Sequence, residues 1–141
     1  MTLPETLQTI LDDFALCEGR EKLELLLQYA ESLPALPQRF AADRASMEQV
    51  HECMSPVFVA AERTPSGGMH YYFDVPPEAP TVRGFAAILG EGLNGQTPQT
   101  ILQIPNDFFL QMGLEKVLSN QRLNGISAIL AHLKRLASSA L

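Results

Sequence analysis

The sequence predicts a two-layer α+β domain, a three-stranded antiparallel sheet packed against helices. Three observations carry this: apolar residues recur at helical spacing at both ends of the chain, alternating patterns are confined to its middle, and a diglycine turn separates two of the alternating runs. Helices, then strands, then helices fit segregated layers better than alternating parallel units.

The elements follow in order. Leu3, Leu7, Ile10, Leu11, Phe14 and Cys17 are spaced by three and four, with Pro4 and Glu5 suited to a first helical turn. After Gly19, the positions Leu23, Leu26, Leu27, Ala30 and Leu33 predict a second helix that stops before Pro34, and residues 1–33 read as a helical hairpin. Residues 34–45 read as irregular. Within 47–74, strands are expected around Glu48 to His51, from Val57 to Arg63, and from Met69 to Asp74, the last two joined through Pro65-Ser66-Gly67-Gly68. Pro76, Pro77 and Pro80 interrupt regular structure. Residues 81–141 then read as helices: Thr81 to Leu93 with Val82, Phe85, Ala86 and Leu89 on one side, short helices over Pro98–Leu102 and Asn106–Met112, and a long last helix. Thr97-Pro98 supplies a cap and a first-turn proline. Leu123, Ile126, Leu130 and Leu133 mark the last helix, with Lys134 and Arg135 expected near its negative end.

A chain of 141 residues, 46% hydrophobic and 18% charged, fits one domain spanning 1–141 with a single core. Sixteen acidic against ten basic residues disfavour nucleic acid as a partner, because phosphate binding needs clustered Lys and Arg. Met1-Thr2-Leu3-Pro4-Glu5 lacks the basic start and apolar run of a signal peptide, and no apolar stretch approaches a membrane span. The expected location is cytoplasmic, where both cysteines are read as free thiols.

Those two cysteines differ in setting. Cys17 is in helical register with Leu7, Ile10 and Phe14, which predicts a core role. Cys53 follows a broken strand pattern in Val50-His51-Glu52-Cys53-Met54-Ser55-Pro56-Val57-Phe58, and Pro56 cannot donate a ladder hydrogen bond. A thiol presented on such a loop suits sulfur chemistry, yet free cysteine also serves as a small buried hydrophobe, and composition leaves the two open. His51 could share a side of the extended segment with Cys53 as a base. One cysteine with His51 and His70 is too few ligands for a zinc or iron–sulfur site, so no metal is expected. Nucleophile-elbow, phosphate-loop and dinucleotide patterns do not occur. The acidic pairs Asp12-Asp13 and Glu48 with Glu52 read as solvated surface, as do Arg83 and Arg122 unless the fold brings either near Cys53 to favour its thiolate. Gly84 and Gly125 read as positions of close packing or a turn.

Several motifs occur in a fixed order. They are Val50-x-x-Cys53-x-Ser55-x-Val57-Phe58, Val82-Arg83-Gly84-Phe85, Gln96-Thr97-Pro98, Met112-Gly113-Leu114, Leu118-Ser119 and Arg122-Leu123-Asn124-Gly125-Ile126. In this order the chain resembles the SufE family, sulfur acceptors that serve cysteine desulfurases in iron–sulfur cluster assembly. The resemblance implies that Cys53 takes sulfur from the persulfide of a SufS-type desulfurase, carries it as its own persulfide, and passes it to an iron–sulfur scaffold complex. Pyridoxal phosphate would belong to the partner, so no cofactor is implied for this chain. The implied fold is related to that of NifU-type and IscU-type scaffolds, whose several cluster-binding cysteines this chain lacks. Around the acceptor, His51, Glu52, Met54, Ser55, Glu78, Arg83 and Arg122 are candidates for the partner interface. Two departures stand out: Glu52 precedes the cysteine where many relatives have glycine, and Phe58 stands where many have tryptophan. Glu52 places a negative charge beside the thiol and removes glycine's backbone freedom. The other readings are a stand-alone thiol enzyme using Cys53 with His51, and a noncatalytic adaptor that docks on a desulfurase.

Overall fold

The computed structural model describes residues 3–141 and shows six α-helices, three strands and short 3-10 turns. Helix α1 is Glu5–Leu16 and α2 is Arg20–Glu31, with Gly19 at φ 50° between them. Each packs on the later helix α4, Pro80–Leu93. Leu7, Ile10, Leu11 and Phe14 form the buried face of α1 as their spacing predicts. Cys17 departs from the expected core role. The helix ends at Leu16 and the backbone turns extended at Cys17, so the register linking it to Phe14 is lost and its side chain is partly exposed.

The buried face of α2 also differs from the expected one. Leu26 and Ala30 are inside and Leu27 is largely outside, while Lys22 is buried. The Lys22 ammonium donates to the Phe14 carbonyl at 2.6 Å, which satisfies one of the free carbonyls at the end of α1. The stretch expected to be irregular contains a short helix α3, Gln38–Ala41, and a 3-10 turn at Arg44–Ser46.

The sheet runs in the order β1 (Glu48–Gln49), β2 (Phe58–Arg63), β3 (Met69–Asp74), antiparallel throughout. Glu48 pairs with Val59, and β2 pairs with β3 from Phe58↔Asp74 to Arg63↔Met69. The β2–β3 turn falls on the diglycine, with Gly67 at φ 91° and the Thr64 amide donating to the Gly68 carbonyl at 2.8 Å. One sheet face, including Val59, Met69, Tyr71 and Phe73, joins the main core with α4 and the last helix, α6 (Asn120–Ser139). The other face is covered in part by Phe40 and Met47, which pack with Ala60, Phe58 and Tyr72.

Helix α4 is buried on nearly every side, so it is the spine of the domain. A Cβ at Gly84 would lie 2.2 Å from the Leu26 carbonyl oxygen, which shows how closely α2 and α4 approach. Helix α5, Pro98–Leu102, starts as expected, with the Thr97 hydroxyl accepting from the Thr100 amide at 3.2 Å. Ser119 caps α6 in the same way, accepting from the Arg122 amide at 3.3 Å. Lys134 and Arg135 lie short of the last turn of α6. Lys134 reaches the Ile104 carbonyl and Asn106 Oδ1.

Candidate functional site

The Cys53 loop leaves the sheet after the very short β1 and returns to it at β2. Val50 and Val57, both buried, close its neck through a hydrogen bond from the Val50 amide to the Val57 carbonyl at 2.8 Å. Inside it, the Cys53 amide donates to the Val50 carbonyl at 3.2 Å, so the thiol-bearing residue sits on a tight turn. The expected strand over Glu48–His51 is therefore cut to Glu48–Gln49, because the chain turns as soon as Val50 has engaged Val57.

The thiol faces α6. Cys53 Sγ lies 3.5 Å from the Gly125 carbonyl oxygen, and a Cβ at Gly125 would stand 3.1 Å from the same sulfur. Gly125 thus supplies both an acceptor and the space that a side chain would fill. Two motifs distant in sequence, Val50–Phe58 and Arg122–Ile126, meet at this contact.

Burial pushes the Cys53 thiol up to about 11, with the neighbouring Glu52 charge as the second cause. At that value roughly one thiol in ten thousand is ionised at pH 7. Neither arginine offsets this. Arg83 donates to the Val75 carbonyl at 2.7 Å and Arg122 to Thr81 Oγ1 at 3.1 Å, so both fasten the chain at and before the start of α4. His51 and Glu78 are exposed, Ser55 is half-buried, and Met54 projects at 77% exposure beside the withdrawn thiol. Among the described residues His51 makes no hydrogen bond to Cys53.

The residue that sequence reasoning missed is His132. Its Nδ1 meets Glu48 Oε2, and its Nε2 lies 3.0 Å from Glu52 Oε1. Arg135, one turn further along α6, pairs with Glu48 as well, its Nε donating to Oε2 at 3.0 Å. Glu48 is consequently not solvated surface; only 15% of its side chain is exposed. Glu52 remains outside, at 57%, and its carboxyl is held below the usual carboxylate range chiefly by the hydrogen bond from His132. The available signals were the alternation of Glu48, Val50 and Glu52, and the seven-residue step from Gly125 to His132 that keeps both on one helix face.

The family described as SufE, Fe-S metabolism associated domain, matches residues 8–137. The chain belongs to the SufE family. It is 44% identical over 134 residues to an uncharacterized SufE-like protein of Mycobacterium tuberculosis, covering 95% of this chain and 92% of that one. It is 32% identical over 136 residues to SufE-like protein 1, chloroplastic/mitochondrial, of Arabidopsis thaliana, covering 96% of this chain and 35% of the plant protein. The solution structure of a hypothetical protein from Thermus thermophilus superposes with a TM-score of 0.84 at 36% identity, over 99% of this chain and 98% of that one. Among the described residues no helix of this SufE-family chain is long and apolar enough to cross a membrane.

Proposed function

We propose that this protein is a cytoplasmic sulfur acceptor and activator for a pyridoxal-phosphate-dependent cysteine desulfurase of the SufS type, with Cys53 as the acceptor. The observation that carries the reading is the seating of the Cys53 thiol on Gly125, which joins the two most distinctive motifs of the resemblance in one place. In the transfer, the Cys53 thiolate attacks the outer sulfur of the desulfurase persulfide. The bond between that sulfur and the desulfurase cysteine breaks, the cysteine leaves as a thiolate, and a new sulfur–sulfur bond forms on Cys53. The proton lost by Cys53 balances the one taken up by the leaving thiolate or the medium, and no external oxidant or reductant is consumed. The carried sulfur then goes to an iron–sulfur scaffold complex.

A half-buried thiol raised to about 11 is protected from casual reaction but is a poor nucleophile where it sits. Docking therefore has to bring the loop out, which removes the burial, the larger of the two causes of the shift, and holds the two sulfurs together. Met54 and Ser55, with His51, Glu52 and Glu78, supply the surface that a partner meets first. Arg83 and Arg122 serve by holding α4 in place.

The test is desulfurase turnover with parent, Cys53→Ser and Cys17→Ser proteins. The acceptor reading expects stimulation by the parent and by Cys17→Ser and its loss in Cys53→Ser. Full stimulation by Cys53→Ser would make the protein a docking adaptor, and cysteine-consuming turnover without any desulfurase would make it a thiol enzyme in its own right.

A further inference from the structure

Helix α6 holds the Cys53 loop at two points on one face, seven residues apart. Gly125 seats the thiol and His132 takes the carboxylate of the residue before it. The His132 ring lies between two carboxylates, Glu48 on Nδ1 and Glu52 on Nε2. A neutral imidazole has one N–H and can donate to only one of them, whereas an imidazolium donates to both. The arrangement is complete only with a doubly protonated ring facing two charged carboxylates. Because these lie on opposite ring nitrogens they do not converge on a common point, so the cluster is a clasp and not a metal site.

We propose that His132 is a positioning residue for Cys53: anchored by Glu48, it clasps Glu52 and keeps the loop folded on α6 with the thiol withdrawn, so that opening the clasp is the step that presents Cys53. This rests on the acceptor reading for its purpose but not for its test. It also gives Glu52 a role, since its carboxylate gives the loop a grip on α6.

The two ends of the clasp are unequal. Glu48 is mostly buried and is held additionally by Arg135, while Glu52 is exposed and is held by the ring and by its own backbone. Deprotonation of the ring leaves a lone pair facing one carboxylate, and the weaker Glu52 end is the one to release. The charged groups around the ring are Glu48 from β1, Glu52 from the loop, and Arg135 from α6 itself. From β2, Glu62 is paired with Arg39, and Arg63 donates to the Ala140 carbonyl. The clasp therefore needs Glu52 ionised and a ring that donates from both nitrogens.

The experiment is iodoacetamide alkylation of Cys53 at pH 7 in a Cys17→Ser background, without desulfurase, comparing the parent with His132→Gln, Glu52→Gln and Glu52→Gly. Circular dichroism checks that each variant is folded. The clasp predicts that His132→Gln reacts about two- to fivefold faster than the parent, the scale of an exposed ion pair. Simple electrostatics predicts the opposite sign, because removing a cation near the thiol disfavours its thiolate. Parent-like or slower alkylation of His132→Gln would overturn the proposal. Should His132→Gln fail to fold, the glutamate pair decides: Glu52→Gly must exceed Glu52→Gln, which keeps an acceptor oxygen, and equality of the two overturns it. Persulfide uptake is a separate readout, so failure of the acceptor reading and failure of the clasp are distinguishable.

Discussion

At the residue scale, Cys53 combines poor ionisation with a seat that fits it closely. Its alkylation rate in a Cys17→Ser background should still be rising above pH 9, toward the thiol's value of about 11. A plateau by about pH 10 would show an ordinary exposed thiol, whose value is about 8.5. The seat can be altered from beneath. In Gly125→Ala the new methyl would meet Sγ at 3.1 Å, while alanine favours the helix by about 1 kcal/mol. The expected outcome is an intact fold with a displaced thiol that alkylates several-fold faster at pH 7; an unchanged rate would mean that Gly125 does not hold the sulfur. Cys53 was legible because it breaks a strand pattern, and Gly125 because it stands in an otherwise ordinary helix. His132 was missed, since its partners Glu48 and Glu52 are 84 and 80 residues away, and the local spacings that align each side do not by themselves join the two. Arg83 and Arg122 read as surface residues that could favour a thiolate only if the fold brought one near Cys53. The fold instead sends both to the start of α4.

At the element scale, the periodic helices α1, α4 and α6 and the hairpin around Gly67 could be read directly, because core spacing and turn chemistry are local properties. The errors fall where a tertiary contact overrides the pattern. The α1 register stops at Leu16, so Cys17 does not follow Phe14 inward. Lys22 is drawn into the core by the Phe14 carbonyl, and the amphipathic face of α2 rotates away from Leu27. The close approach of α2 and α4 yields a direct test. In Gly84→Ala a methyl would collide with the Leu26 backbone, which cannot move aside as a flexible side chain can. We expect a loss of about 1–3 kcal/mol in denaturant unfolding. Ser119→Ala should cost about 1 kcal/mol through the lost cap of α6. An unchanged midpoint in Gly84→Ala would contradict the packing described.

At the scale of the whole molecule, one core gathers α1, α2, α4, α6 and one face of the sheet, and the Cys53 loop is fixed to it by a neck of two buried valines. The sulfur-bearing segment can therefore move without breaking β2 and β3, which pair over six residues. The raised Cys53 value also has a global consequence. Below about pH 9 the thiol is protonated in both folded and unfolded chains; above it the unfolded chain ionises first, so stability is lost as pH rises toward about 11. Denaturant unfolding should show this alkaline loss in the parent and a smaller one in Cys53→Ser. The burial of Tyr71 raises its phenol as well and contributes equally to both proteins.

The central claim is that Cys53 is where sulfur arrives. Its most direct test is to incubate the protein with a SufS-type desulfurase and cysteine, block thiols and persulfides by alkylation, and map the added sulfur by peptide mass measurement. The account predicts one extra sulfur on the peptide containing Cys53 and none on the peptide containing Cys17. Extra sulfur on Cys17 with Cys53 unmodified, or sulfur retained by the Cys53→Ser protein, would contradict it.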